Sequence, residues 1–272
     1  MITIHESKFR QEYASHFDDN MHSIEKRIED SRTASERWKS GQFPEKMYHV
    51  FREYLERHRT TSPSITFVDV GAAEGCYTCS VIEHYEKFNI LSFEPELTRL
   101  NVYEENLNYY LEHYHREPTN VSVNIHEKLV MDGSDSVATL RHYFCRRTGE
   151  GAGSSTTVKS ERPNRIAVDV KYEAVRLDDF IHDYDEVDAM KIDVEGAEIL
   201  VLKGAKNFIE KFNPIIFLEI HGGEQFGSIT RQMVEEVLGT LKVPYELRPI
   251  ERHRSSLEYY IAAPSKKGLE ND

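Results

Sequence analysis

Two short blocks of this 272-residue chain carry the ingredients of a nucleoside site. Residues 67–75 read Phe-Val-Asp-Val-Gly-Ala-Ala-Glu-Gly, an apolar run closing on Gly71 and Gly75. Glycine leaves such a turn open to a close ligand, and the amides that begin the next helix point at it. Residues 91–95 read Leu-Ser-Phe-Glu-Pro, a second apolar run ending in the carboxylate of Glu94. A carboxylate at the tip of the neighbouring strand accepts both hydroxyls of a ribose, and strand tips of open α/β sheets are where such ligands sit. Asp69, Gly71, Ala72, Gly75, Tyr77, Thr78, Glu94 and Pro95 are therefore candidate binders of an adenosine cofactor.

The elements that would position these residues follow from the apolar pattern. From Thr66 onward strand-like runs alternate with helical stretches, the pattern of a parallel sheet covered on both faces. Strands are expected over 66–70, 90–93, 121–125, 189–192 and 215–220. Residues 133–175 break the rhythm, and 137–144 with 166–175 read as an added hairpin. Its connection, 146–155, contains the adjacent Arg146 and Arg147 and is rich in glycine and serine. It reads as a mobile substrate lid or as an ordinary surface loop. A helix near 230–241 precedes two last strands, 245–250 and 257–262, whose link is too short for a helical crossover, so they should run antiparallel.

Residues 1–62 are polar and rich in Glu, Arg, His and Ser, with enough helix formers for two or three helices. Met47, Val50, Phe51, Tyr54 and Leu55 share one helical face, and Pro44 suits a first turn. This gives an N-terminal helical extension or cap, 1–62, ahead of a binding domain, 63–272. The extension packs on that domain, covers its pocket or serves as a dimerisation arm, and oligomeric state stays open.

The 47 acidic against 34 basic side chains leave a net charge of −13, which argues against general nucleic-acid binding. No apolar run approaches the roughly 20 residues of a membrane span, and the first residues lack the layout of a secretory signal. A cytoplasmic protein is the expectation. Cys76, Cys79 and Cys145 cannot all pair within one chain. Cys76 and Cys79 form a C-x-x-C with no second pair to complete a zinc set, and read as free thiols on the first helix after the glycine turn.

The glycine turn alone also fits part of a dinucleotide fingerprint, but its middle glycine is replaced by Ala73, which crowds a pyrophosphate. More specific is the block 188–198, Asp-Ala-Met-Lys-Ile-Asp-Val-Glu-Gly-Ala-Glu, with Val-Leu-Lys-Gly-Ala at 201–205. Val-Arg-Leu-Asp-Asp-Phe at 175–180 precedes it, and Pro-Ile-Ile-Phe-Leu-Glu-Ile-His at 214–221 follows. From about Phe67 to His221 this succession resembles the FkbM-type family of class I S-adenosylmethionine-dependent methyltransferases. The chain departs from the family at Ala73, where Asn is usual; a polar side chain beside the cofactor is lost and the backbone site is kept.

The resemblance implies an α/β, Rossmann-like sheet, mostly parallel with an antiparallel terminal strand. It also implies methyl transfer from S-adenosylmethionine to a hydroxyl of a sugar, glycan or natural-product scaffold. Such a reaction needs in-line positioning and a group that takes the alcohol's proton. By strand alternation Lys191 and Asp193 share one face, and Glu219 and His221 end the fifth strand. Asp193 falls beside the methyl group and counts with both the cofactor and the catalytic candidates; His221 and Lys191 complete the catalytic set. His221 is favoured as base because its ordinary pKa of about 6.5 leaves neutral imidazole near pH 7. Residues 127–131 should face the adenine.

Simpler readings accompany each choice. Lys191 can merely neutralise Asp193, His221 can be satisfied by backbone groups, and Glu195 and Glu198 can simply favour a helix N-terminus. Asp178 and Asp179 read as caps of the following helix. The carboxylates can also hold a hard divalent ion, although no metal ligand is assigned from spacing. A nicotinamide-dependent oxidoreductase and a methyltransferase-like binding module without catalysis are the competing functions.

Overall fold

The computed structural model describes residues 1–11, 24–40, 46–145, 151–155, 165–223, 228–252 and 257–265, and the most apolar of the expected runs lie at its centre. Its strands are β1 (Ile2–His5), β2 (Ser64–Val70), β3 (Lys87–Phe93), β4 (Val121–His126), β5 (Leu129–Val130) and β6 (Val137–Cys145). They continue as β7 (Gly151–Ser155), β8 (Arg165–Val175), β9 (Ala189–Ile192), β10 (Ile215–His221), β11 (Tyr245–Arg252) and β12 (Leu257–Pro264). The helices are α1 (Ile24–Lys39), α2 (Lys46–His58), α3 (Cys76–His84), α4 (Leu97–His113), α5 (Glu198–Gly204), α6 (Lys206–Phe212) and α7 (Arg231–Leu238).

Eight strands form one sheet in the order β1-β4-β3-β2-β9-β10-β12-β11. The strands from β1 to β10 are parallel, whereas β12 runs antiparallel to β10 and β11 antiparallel to β12. The short link between the last two strands dictates this ending, as expected.

Side-chain alternation divides the sheet between two cores. Phe67, Ile90 and Phe217 face α2, α3 and α4, while Val68, Leu91 and Leu218 face α5, α6 and α7. Both faces are therefore covered, and the central strands read as nearly continuous apolar runs for that reason. Phe51 of α2 is fully buried against Phe67 and Phe217, and burying such a ring stabilises by roughly 1.5–3 kcal/mol. On the same helix Met47, Tyr48 and Leu55 are buried and Val50 and Tyr54 pack beside them. Pro44 lies outside the described residues.

Two elements depart from expectation. Ile2–His5, read as part of a helical extension, is a strand that pairs in parallel with β4. Its partner lies about 120 positions away, so no local pattern announces it. The segment read as a lid or loop includes β7, which adds antiparallel to β6. Glycine and serine are poor strand formers, but the open edge of β6 supplies the backbone partners. Arg146 and Arg147 lie outside the described residues.

The expected hairpin is present: β6 and β8 pair antiparallel from Val137 with Glu173 to Cys145 with Arg165. With β5 and β7 it makes a second, four-stranded sheet whose small core holds Leu129, Leu140, Val170 and Tyr172. Cys76 and Cys79 are buried free thiols on α3. No helix among the described residues is long and apolar enough to cross a membrane.

Candidate cofactor cleft and acceptor site

The turn after β2 is held by its neighbours. The amides of Gly71 and Ala72 both donate to the Phe93 carbonyl, at 2.9 and 3.0 Å, which ties the turn to the tip of β3. Gly71 has φ +77°, and a Cβ there would lie 1.9 Å from the Asp193 carbonyl oxygen. Gly75 has φ +82°, and a Cβ there would lie 2.2 Å from the Tyr103 ring. Both positions need glycine for conformation and for space. Ala73 also sits in the left-handed region, at φ +49°. Asn tolerates that conformation better than Ala, which gives a physical reason for the residue usual in the resembled family.

Behind the turn lies a buried polar network. Thr78 Oγ1 donates to Asp69 Oδ2 at 3.0 Å, and Tyr103 hydroxyl donates to Thr78 Oγ1 at 2.9 Å. Lys191 is almost completely buried; its ammonium donates to the Gly71 carbonyl and stands 3.7 Å from Asp69 and 3.5 Å from Asp193. Burial alone would lower the Lys191 pKa, but Asp193 and Asp69 outweigh it and raise it, so the lysine stays charged. The Lys191 ammonium also lies 5.3 Å from the centre of the Tyr77 ring. Asp69, Tyr77 and Thr78 thus support the turn from its inner side, and none of the three lines the cleft.

In front of the turn a cleft opens between the strand tips. Gly71, Glu94 and Pro95 line it on one side, and Lys128, Leu129 and Leu140 on the other. Glu94 Oε2 accepts from the Ala73 amide and Oε1 from the Glu96 amide, each at 2.9 Å. Burial pushes the Glu94 carboxyl up to about 7, with Arg99 opposing the rise and Glu96 adding to it. Ala72 is buried within the turn. Residues 128–130, from the segment expected at the adenine, do face the cleft, whereas Glu127 turns away to accept from the Ser7 amide and Arg10.

Sequence reasoning missed the next layer. Glu96 is buried, accepts from Thr98 Oγ1 at 2.8 Å and pairs with Arg27 of α1. Burial would raise its pKa, but Arg27, His142 and Arg99 hold it far below the ordinary carboxylate range. The Glu94-Pro95-Glu96 spelling offered a faint signal for Glu96; nothing local pointed to Arg27. Arg99 and Leu140, which both line the cleft, were missed as well.

The tips of β9 and β10 carry the other candidates. His221 is buried, and its Nδ1–H donates to Glu198 Oε1 at 2.7 Å. Its Nε2 stands 3.5 Å from Glu219 Oε1 and 3.9 Å from Asp193 Oδ1. Burial would lower the imidazole pKa, but the hydrogen bond with Glu198 and the charges of Asp193, Glu198 and Glu195 raise it to about 10. The expected neutral imidazole is therefore not the resting form, because Glu198, Asp193 and Glu195 favour the charged ring. Glu198, which needed no role as a helix-start carboxylate, is fully buried and committed to His221 and the Gly196 amide. Glu195 does not lie in the helix: it adopts φ +53° in a turn ahead of α5 and lines the cleft. Asp178 caps α6, accepting from the Phe208 amide at 2.8 Å, and Asp179 accepts from the Arg176 amide at 3.1 Å.

A parallel sheet in which β12 alone runs against the other strands, with a glycine turn after β2 and an acid at the tip of β3, defines a Rossmann-like class I methyltransferase. Residues 69–247 match the methyltransferase FkbM domain, and the chain belongs to that family.

Among solved structures, the methyltransferase FkbM from Methylobacillus flagellatus KT is similar at 18% identity and TM-score 0.47. The match covers 74% of this chain and 44% of that one, so the present chain spans less than half the length of that relative. Magnesium protoporphyrin IX methyltransferase from Synechocystis PCC 6803, solved with S-adenosylmethionine bound, is similar at 8% identity and TM-score 0.46, over 91% and 86% of the two chains. Precorrin-6y C5,15-methyltransferase from Geobacter metallireducens GS-15 is similar at 14% identity and TM-score 0.41, over 79% and 86%. No curated protein matches the sequence.

The family implies S-adenosylmethionine as methyl donor. The residues present fit that group: Gly71 leaves the turn without a side chain, and Glu94 presents a desolvated carboxylate at the cleft wall.

Proposed function

We propose that the chain transfers a methyl group from S-adenosylmethionine to a hydroxyl oxygen of a sugar, glycan or other natural-product scaffold. The observation that carries this reading is the placement of Glu94 against the Ala73 amide, beside a cleft that Val194 and Glu195, next along the chain from Asp193, also line. When bound, the cofactor supplies an electrophilic methyl on a sulfonium centre.

The protein's part is to bind and align. Glu94 accepts the ribose hydroxyls, and Pro95 fixes the chain beside it. The backbone of Gly71 and Ala72 leaves room for the methionine portion, and Gly75 closes the turn against the Tyr103 ring. Leu129 and Leu140 offer apolar walls to the adenine. Lys191 is a positioning residue: it pins the Gly71 carbonyl and faces the Asp193 carboxylate, so that the turn and the acceptor side move as one. Asp193, partly open to solvent, accepts a hydrogen bond from the acceptor hydroxyl. His221, held by Glu198, shapes the other wall of the acceptor site. Pre-alignment of the two partners lowers the barrier of such a reaction by making it effectively unimolecular.

A thermal-shift comparison tests the reading against a nicotinamide enzyme. Saturating S-adenosylhomocysteine should raise the melting temperature, because a ligand that binds only the folded state adds to its stability. A rise with NAD and none with S-adenosylhomocysteine would overturn the proposal.

A further inference from the structure

Asp193 on the tip of β9 and Glu219 and His221 on β10 bring two carboxylate oxygens and an imidazole nitrogen within 4.8 Å of one another. The fold forces this convergence. Leu218 pairs with Ile192, so Glu219 stands level with Asp193, and His221 follows two residues on along the same face. Glu219 and His221 are buried, while Asp193 keeps an opening to solvent.

Orientation of the ring argues for more than a chance cluster. His221 Nδ1–H is spent on Glu198 Oε1 at 2.7 Å, and this leaves Nε2 as the atom aimed between Glu219 and Asp193. Glu198 is itself held by the Gly196 amide at 3.0 Å, and its second oxygen is buried without a hydrogen-bond partner among the described residues. A histidine that ligates a metal usually donates its other N–H to a carboxylate, which fixes the tautomer and makes the ligating nitrogen more basic. Glu198, His221 and the two facing carboxylates reproduce that arrangement. The Nε2 to oxygen separations of 3.5 and 3.9 Å need only a small contraction to meet a common ion with bonds of about 2.1 Å.

We propose that Asp193, Glu219 and His221 bind one divalent cation, which displaces the Nε2 proton of His221 to solvent, with Glu198 orienting the histidine, and that this cation receives the acceptor hydroxyl. An imidazole nitrogen beside two carboxylates suits zinc better than calcium or magnesium, and manganese, which carboxylates also hold, serves as the spectroscopic probe. The assignment rests on the methyl-transfer reading of the adjoining cleft. Bound to the cation, the hydroxyl becomes more acidic and loses its proton to solvent at the open side of Asp193, whose second oxygen faces Lys191. The oxygen's electron pair then forms the new C–O bond, the C–S bond breaks, and its pair returns to sulfur as a neutral thioether. One proton is released for each methyl transferred, and no oxidant or reductant is needed. This route also removes the need for His221 to act as a base, since its ring is engaged on both nitrogens.

The test is a titration of the chelator-treated full chain with manganese chloride, with free Mn²⁺ followed by its paramagnetic resonance signal. One Mn²⁺ per chain should be taken up, and Asp193→Asn and His221→Gln should each weaken binding at least about tenfold. Glu198→Gln, which removes charge without emptying the site, should weaken it about 10- to 100-fold. Melting curves without metal identify the variants that keep the fold; Glu219→Gln replaces the His221 variant if the latter does not. Absence of saturable uptake up to about 1 mM, or uptake unchanged in folded variants, would overturn the site. S-adenosylhomocysteine titrated in chelator separates the two readings. Binding of that compound without Mn²⁺ uptake overturns the cation site alone, whereas Mn²⁺ uptake without it supports the cation site and overturns the cofactor reading.

Discussion

Glu94 Oε2 accepts a 2.9 Å hydrogen bond from the Ala73 amide, so the carboxylate at the tip of β3 closes directly onto the glycine turn after β2. The contact makes one unit of the two sequence blocks and fixes the carboxylate where a ribose bound at the turn would meet it. Most of the functional account depends on this pairing.

Cofactor affinity should therefore depend on pH through Glu94. Its carboxyl is raised to about 7 in the folded protein, above the ordinary value near 4.5, because burial disfavours the ionised form. In the free protein the ionised carboxylate costs stability that is absent at low pH and appears as pH rises from about 4.5 to 7. The ribose requires that ionised form as acceptor, so binding releases a proton below about 7. S-adenosylhomocysteine should bind up to about tenfold more weakly at pH 6 than at pH 8 by calorimetry. The same difference in a Glu94→Gln protein would assign the titration elsewhere.

Lys191→Met should destabilise the fold by about 3–5 kcal/mol, since it leaves the fully buried Asp69 carboxylate without its cation and the Gly71 carbonyl without its donor. Urea unfolding measures the loss. A change under about 1 kcal/mol would show that Lys191 neither neutralises Asp69 nor pins the turn.

Ala73→Asn should stabilise the chain by about 0.5–1 kcal/mol, because a left-handed φ of +49° costs alanine about 1–2 kcal/mol and asparagine less. The amide that meets Glu94 is retained in the variant. A fall in the urea midpoint would mean that the turn has no room for the longer side chain.

How much of this was legible in the sequence depends on the range of the interactions. Strands β2, β3, β9 and β10 announce themselves because both of their faces are buried, and Glu94 is visible because it ends such a run. The strand Ile2–His5 is four residues long and is stabilised by a partner about 120 positions away, so its own pattern says little. A separation of 69 positions likewise hides the Arg27 to Glu96 pair, which only helix α1 lying on α4 can create. His221 was visible as a residue but not as a charge state. Its proton is held by Glu198 and Asp193, whose positions follow from the packing of α5 and the register of β9 on β10.

Calorimetric titration of S-adenosylhomocysteine into Glu94→Ala, beside the parent chain at pH 8, tests the central claim most directly. Two charge-assisted hydrogen bonds to the ribose, each contributing about 1.5–3 kcal/mol, should be lost, so affinity should fall at least about a hundredfold while the melting curve stays cooperative. Equal affinity in the two proteins would contradict the placement of the cofactor at the tips of β2 and β3.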